Sequence, residues 1–137
     1  VVVCSRVIVL LTLAAIVTGT VVTGTGPHAG DESAPRFGYL ITSVARVHGA
    51  TVWLVVLTSL WLGWQLWRKG ADQQLQRAFE WFLFLAMLQG GLGYLQYFTG
   101  VPVPLVALHV ALSVVVWLAA MRLATIARRS SPCDTMA

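Results

Sequence analysis

Four long apolar runs, at about residues 7–22, 44–67, 79–98 and 104–127, fill most of this 137-residue chain. A helix that crosses a bilayer needs roughly 20 consecutive apolar residues, and these runs are of that size. Hydrophobic residues make up 58% of the chain and charged residues only 10%, whereas a soluble domain carries about a quarter charged residues. That balance argues against a soluble globular domain and more firmly against disorder. The expected fold is all-α: an integral membrane four-helix up-down bundle.

The connections support this division. The first run gives way to Gly24-Thr25-Gly26-Pro27-His28-Ala29-Gly30-Asp31-Glu32-Ser33-Ala34-Pro35, a density of Gly, Pro, Asp and Ser that marks a loop. The second run ends on Trp61, Trp64 and Trp67, then Arg68 and Lys69, the pattern of a membrane interface. A polar connection is expected over residues 68–77. A short turn, Thr99-Gly100-Val101-Pro102-Val103-Pro104, precedes the fourth run, with Pro104 suited to a first helical position. Residues 128–137 read as a polar, disordered tail. No tandem repeat or low-complexity tract is visible.

Basic residues set the orientation. Arg6, Arg68, Lys69, Arg77, Arg122, Arg128 and Arg129 fall on one side of an up-down bundle, and Arg36 and Arg46 on the other. The richer side is expected to be cytoplasmic, which puts both termini inside and the loop of residues 24–40 outside. The net charge of +4 is then orientation charge. No basic stripe is present, so no nucleic-acid partner is expected; membrane lipids are.

Cys4 and Cys133 lie near opposite termini, outside any metal-binding spacing and on the reducing side, so no disulfide is expected. The chain opens on Val1 and its first methionine is Met87. Either translation starts at a valine codon, or the sequence is part of a longer protein.

Ionisable groups inside spans are costly and are functional candidates for that reason. His48 and His109 stand out. Both sit near the start of helices that run in the same direction, so their imidazoles are expected at nearly one depth, where they could hold one heme iron from opposite faces. The bland alternative is two hydrogen-bonded packing histidines. Gly49 leaves room beside His48. The Gly90, Gly91 and Gly93 cluster fits close helix packing better than a ligand groove. Arg46, and Arg36 beyond it, are cations available to heme propionates, although Arg46 precedes His48 by two residues and points elsewhere on a regular helix. His28 reads as a loop histidine, and Met87 as packing or lipid-facing. None of Asp31, Glu32, Asp72, Glu80 and Asp134 lies mid-span, so no intramembrane general base or proton relay is expected.

Several stretches in order resemble one family. Gly19-Thr20-Val21-Val22-Thr23-Gly24-Thr25-Gly26-Pro27-His28-Ala29-Gly30-Asp31 is similar to the end of the fifth helix of bacterial heme A synthase. Ala45-Arg46-Val47-His48-Gly49 resembles its sixth helix. Gly93-Tyr94-Leu95-Gln96-Tyr97, Gly100-Val101-Pro102 and Leu108-His109 resemble its seventh and eighth. The likeness spans about residues 7–127.

This resemblance implies one half of an eight-helix membrane enzyme that oxidises the C8 methyl of heme O, its substrate, to a formyl group, giving heme A for cytochrome oxidase. It further implies that the matching half holds heme b as cofactor, with His48 and His109 as axial ligands, in the bacterial plasma membrane. The family's first half, with its substrate-side histidines, catalytic glutamate and cysteine pair, has no match in these residues. The chain is therefore expected to be a fragment or truncated gene product that binds heme but does not by itself make heme A, and that works with the missing N-terminal half or a second copy. Two other readings stand beside it: a free-standing membrane b-type cytochrome for electron transfer, and a cofactor-free membrane assembly or scaffold protein.

Overall fold

The computed structural model describes residues 1–26 and 35–130. They form four helices: α1 (Val2–Thr25), α2 (Ile41–Lys69), α3 (Gln73–Phe98) and α4 (Val103–Arg129). Each is long and apolar enough to cross a membrane. Neighbours run antiparallel. Val1 meets Gln65 near the end of α2, while Thr18 meets His48 near its start. Asp72, before α3, meets Ser130, after α4. The helices pack as two hairpins, α1–α2 and α3–α4, joined mainly through α1 and α4; α2 and α3 scarcely touch.

Every helix is longer than its apolar run, because the polar residues flanking each run serve as helix ends. Arg6 lies inside α1. Arg68 and Lys69 form the last turn of α2, where cations oppose the negative end of the helix dipole. Gly70 then stops the helix in the left-handed region (φ 59°). Asp72 caps α3 by accepting the Leu75 N–H at 2.9 Å, which satisfies one of the free donors of the first turn. The polar connection expected over residues 68–77 is thus only residues 70–72, and Arg77 and Glu80 are helical. Likewise α4 runs through Arg128 and Arg129, so the expected tail loses its first two residues; residues 131–137 lie outside the described part.

The α3–α4 turn is a Schellman motif. Gly100 takes φ 77°, its N–H reaches the Tyr97 carbonyl at 3.5 Å, and the Val101 N–H reaches the Gln96 carbonyl at 2.7 Å. Val101 also has a positive φ, 59°, a strained setting for a β-branched residue. Pro102 follows as the N-cap of α4.

The core occupies one end of the bundle. Buried residues in α1 stop at Thr12, in α2 begin at Val55, in α3 stop at Phe82 and in α4 begin at Val116. Ile8, Leu62, Phe82 and Leu123 are fully shut off there. Small residues (Ser5, Ser59, Ala78, Ala120 and Ala127) let the helices approach. The buried hydroxyls of Ser5, Thr12 and Ser59 donate to carbonyls of their own helix at 2.7–2.9 Å. No helix has a buried residue in its other half. We call these the closed end and the open end.

The outer surface is apolar, as a lipid-facing surface must be: Leu10, Val17, Leu57, Leu60, Val114 and Leu118 are all exposed. Aromatic rings gather at two levels. Trp61, Trp64, Trp67 and Trp81 lie toward the closed end, with the Arg68 guanidinium 4.9 Å from the Trp64 ring centre. Phe37, Tyr39, Tyr94, Tyr97 and Phe98 lie toward the open end. Along α3, Trp81 and Tyr97 are about 24 Å apart at 1.5 Å per residue, comparable to the hydrocarbon thickness of a bilayer.

Two predictions concern these ends. Gly100→Ala must place a side chain at positive φ and is expected to cost about 1 kcal/mol, whereas Val101→Gly relieves strain and raises the melting temperature in detergent. The second concerns acid. The Leu75 N–H, and then the Ser130 side chain, hold the Asp72 carboxyl below its ordinary range. Its pKa is lower folded than unfolded, so its stabilising contribution is complete at neutral pH. That contribution fades as pH falls through the ordinary carboxylate range toward the folded value. Asp72→Ala should lower stability at pH 7, and the gap to the parent should close on acidification, as followed by circular dichroism.

Candidate functional site

The two histidines lie in the open half. His48 is in the second turn of α2 and His109 in the second turn of α4. At 1.5 Å per residue they stand about 10 and 9 Å from the starts of two helices that run the same way, so they share one level.

Each imidazole rests against a glycine of its hairpin partner. A Cβ on Gly19 of α1 would lie 3.2 Å from Cε1 of His48, and a Cβ on Gly93 of α3 would lie 3.2 Å from Cε1 of His109. Both distances are tighter than ordinary contact. A larger residue at either position would push the ring from its seat.

His48 is held more firmly. Its Nδ1 lies 3.0 Å from the Ala15 carbonyl and 3.2 Å from the Thr18 hydroxyl. The Thr18 hydroxyl in turn donates to the Ala14 carbonyl at 2.9 Å and stands 3.2 Å from the Thr51 hydroxyl. A carbonyl can only accept, so the proton is placed on Nδ1 and Nε2 is left with its lone pair, the tautomer of a metal-ligating histidine. Nε2 of His48 makes no hydrogen bond among the described residues. His109 differs: its Nδ1 is buried and has no partner. Nearby, the Gln89 amide donates to the His109 backbone carbonyl at 2.9 Å, while the buried Oε1 atoms of Gln89 and Gln96 are unpaired.

Other residues singled out in the sequence fall elsewhere. Arg46 is exposed on a continuous α2, about 200° around the helix from His48 at 100° per residue, and is not brought beside it. Arg36 donates to the Gly26 carbonyl at 3.0 Å and so ties the described end of the loop to the end of α1. Met87 is exposed on the outer surface. His28 and Cys133 lie outside the described residues. Cys4 is a free thiol, 3.3 Å from Gln65 Nε2. The glycine cluster does not serve close helix packing at Gly90 and Gly91, where an added Cβ would meet nothing within 4 Å; the same holds for Gly49. Only Gly93 makes a close approach, and it meets a histidine.

Thr18, Thr51, Gln89 and Gln96 are not legible as site residues in the sequence, because none of them is ionisable. The signal available was a pair of amides, Gln89 and Gln96, within an otherwise apolar run.

No family model, no curated protein and no solved structure matches the chain.

Chemically, the open half presents two imidazole nitrogens at one level with a glycine against each ring, and, among the described residues of its helices, no carboxylate or cysteine. Among the described residues no group of three or more His, Cys, Asp and Glu could hold a bare metal ion. The donor set suits an iron that brings its own equatorial ligands.

The glycines give a direct test. Gly19→Val and Gly93→Val each overpack a seated imidazole and are expected to cost about 1–3 kcal/mol in thermal unfolding. Gly90→Ala meets open space in a helix interior and should stabilise by about 0.5–1 kcal/mol.

Proposed function

We propose that this chain is the cofactor half of a heme A synthase and that it binds one b-type heme between His48 and His109. The observation that carries the reading is that the two imidazoles share one level in the half of the bundle where no described helical residue is buried. A side-chain core fills the closed end, whereas in the open half the helices carry half-buried side chains, with glycine against each imidazole and threonine beside His48. A flat apolar macrocycle held between the rings would add dispersion contacts there.

In this reading Nε2 of His48 and Nε2 of His109 would hold the heme iron. Ala15 and Thr18 orient the first ring, and Gly19 and Gly93 provide the clearance both rings need. Heme supplies one-electron redox chemistry when bound. Held by two histidines, the heme would serve this half for electron handling. Oxidation of the heme O methyl group belongs to the other half. The positive-inside bias places both termini in the cytoplasm and the open end toward the outer leaflet of a bacterial plasma membrane. A partner supplying the missing half, or a second copy, completes the enzyme.

The test is spectroscopic. Membranes containing the chain should give a low-spin b-type reduced-minus-oxidised spectrum that His48→Ala and His109→Ala each abolish. Folded protein with no heme signal would sink the reading and favour a scaffold. Heme O added to the chain alone should remain unconverted.

A further inference from the structure

The two hairpins repeat one arrangement that the sequence does not display as a repeat. In α1–α2, Gly19 sits under the His48 ring and the residue four positions earlier, Ala15, supplies the Nδ1 acceptor. In α3–α4, Gly93 sits under the His109 ring, and the residue four positions earlier is Gln89. Both glycine Cβ positions stand 3.2 Å from the imidazole Cε1, so the two seats are built alike.

They differ in one respect. Thr18, just before Gly19, adds a second oxygen at the His48 Nδ1. The matching residue of α3 is Leu92, which has no polar group to offer. His109 Nδ1 is accordingly buried without a partner. Gln89 stands where Ala15 stands, and its side chain already touches His109: Nε2 donates to the His109 backbone carbonyl at 2.9 Å, and Oε1 is buried with nothing bound to it. One residue therefore carries a spare acceptor and the residue it touches carries a spare imidazole nitrogen. An unpaired buried polar group is costly, and a single hydrogen bond satisfies both. Gln96, the other amide with an unpaired oxygen, makes no hydrogen bond to His109 and lies two turns further along α3.

We infer that Gln89 is the positioning residue of His109: its amide oxygen accepts the Nδ1 proton and its amide nitrogen clamps the His109 backbone, fixing ring orientation and tautomer with Nε2 free to ligate. This rests on the heme reading above. It also makes the two histidines unequal. A main-chain carbonyl and a hydroxyl hold His48, whereas His109 depends on one replaceable side chain. An acceptor at Nδ1 raises the basicity of the ligating nitrogen and so favours ferric over ferrous iron.

The experiment compares the parent chain with Gln89→Leu, Gln89→Met, Gln89→Glu and Gln96→Leu. It uses heme titration and potentiometric redox titration of the full chain in detergent. Gln89→Leu and Gln89→Met are expected to weaken heme binding about tenfold or more and to raise the midpoint potential. Gln89→Glu, which puts a stronger acceptor at the same place, should lower the potential below that of the parent. Opposite shifts from removal and strengthening of the acceptor are not produced by a merely structural role. If either folded removal variant matches the parent in affinity and potential, or if Gln96→Leu produces the shift instead, the assignment to Gln89 is overturned while the heme reading stands. A parent chain that takes up no heme overturns both.

Discussion

The packing that unites the four helices is concentrated at one end, where Ile8, Leu62, Phe82 and Leu123 interlock around small residues. The membrane gives no hydrophobic driving force between helices, so association depends on this close contact and on hydrogen bonds. Fixing one end leaves the other to be shaped by what its side chains can reach. The open half has no buried residue within its helices. Its contacts include a seated imidazole in each hairpin and several hydroxyl and amide hydrogen bonds. Everything proposed for the site follows from that division of labour between the two ends.

The open half is also where the unpaired polar groups gather. His109 Nδ1, Gln89 Oε1 and Gln96 Oε1 all belong to α3 and α4, while the corresponding imidazole of the first hairpin is satisfied by Ala15 and Thr18. A protein does not retain buried unpaired groups without cause. Two hairpins with the same glycine–histidine seat but different hydrogen bonding are well suited to hold one ligand between them with unequal grip.

Much of the fold was legible in the sequence. Four long apolar runs point to four spans, and the tryptophans before Arg68 mark the end of α2. The helix ends were less legible. Asp72 as a cap, Arg6 inside α1 and Arg129 inside α4 are polar residues that a search for apolar runs cuts away, although the backbone keeps its hydrogen bonding through them. His48 and His109 were legible because a titratable group in an apolar run is conspicuous, and their common depth followed from helix direction and rise alone.

The sequence alone determined that this is an all-α chain with four candidate membrane spans and a histidine near the start of the second and fourth. Charge spacing and residue counts suffice for that. Only the tertiary structure decided that α1 and α4 join the hairpins while α2 and α3 stay apart, that the core fills one end and not the other, and that Gly93 rather than Gly90 or Gly91 meets a histidine. It also decided that Gln89 reaches His109 while Arg46 faces away from His48. These depend on which faces of separate helices meet, and that is settled by packing between residues far apart in the chain, which no local pattern encodes.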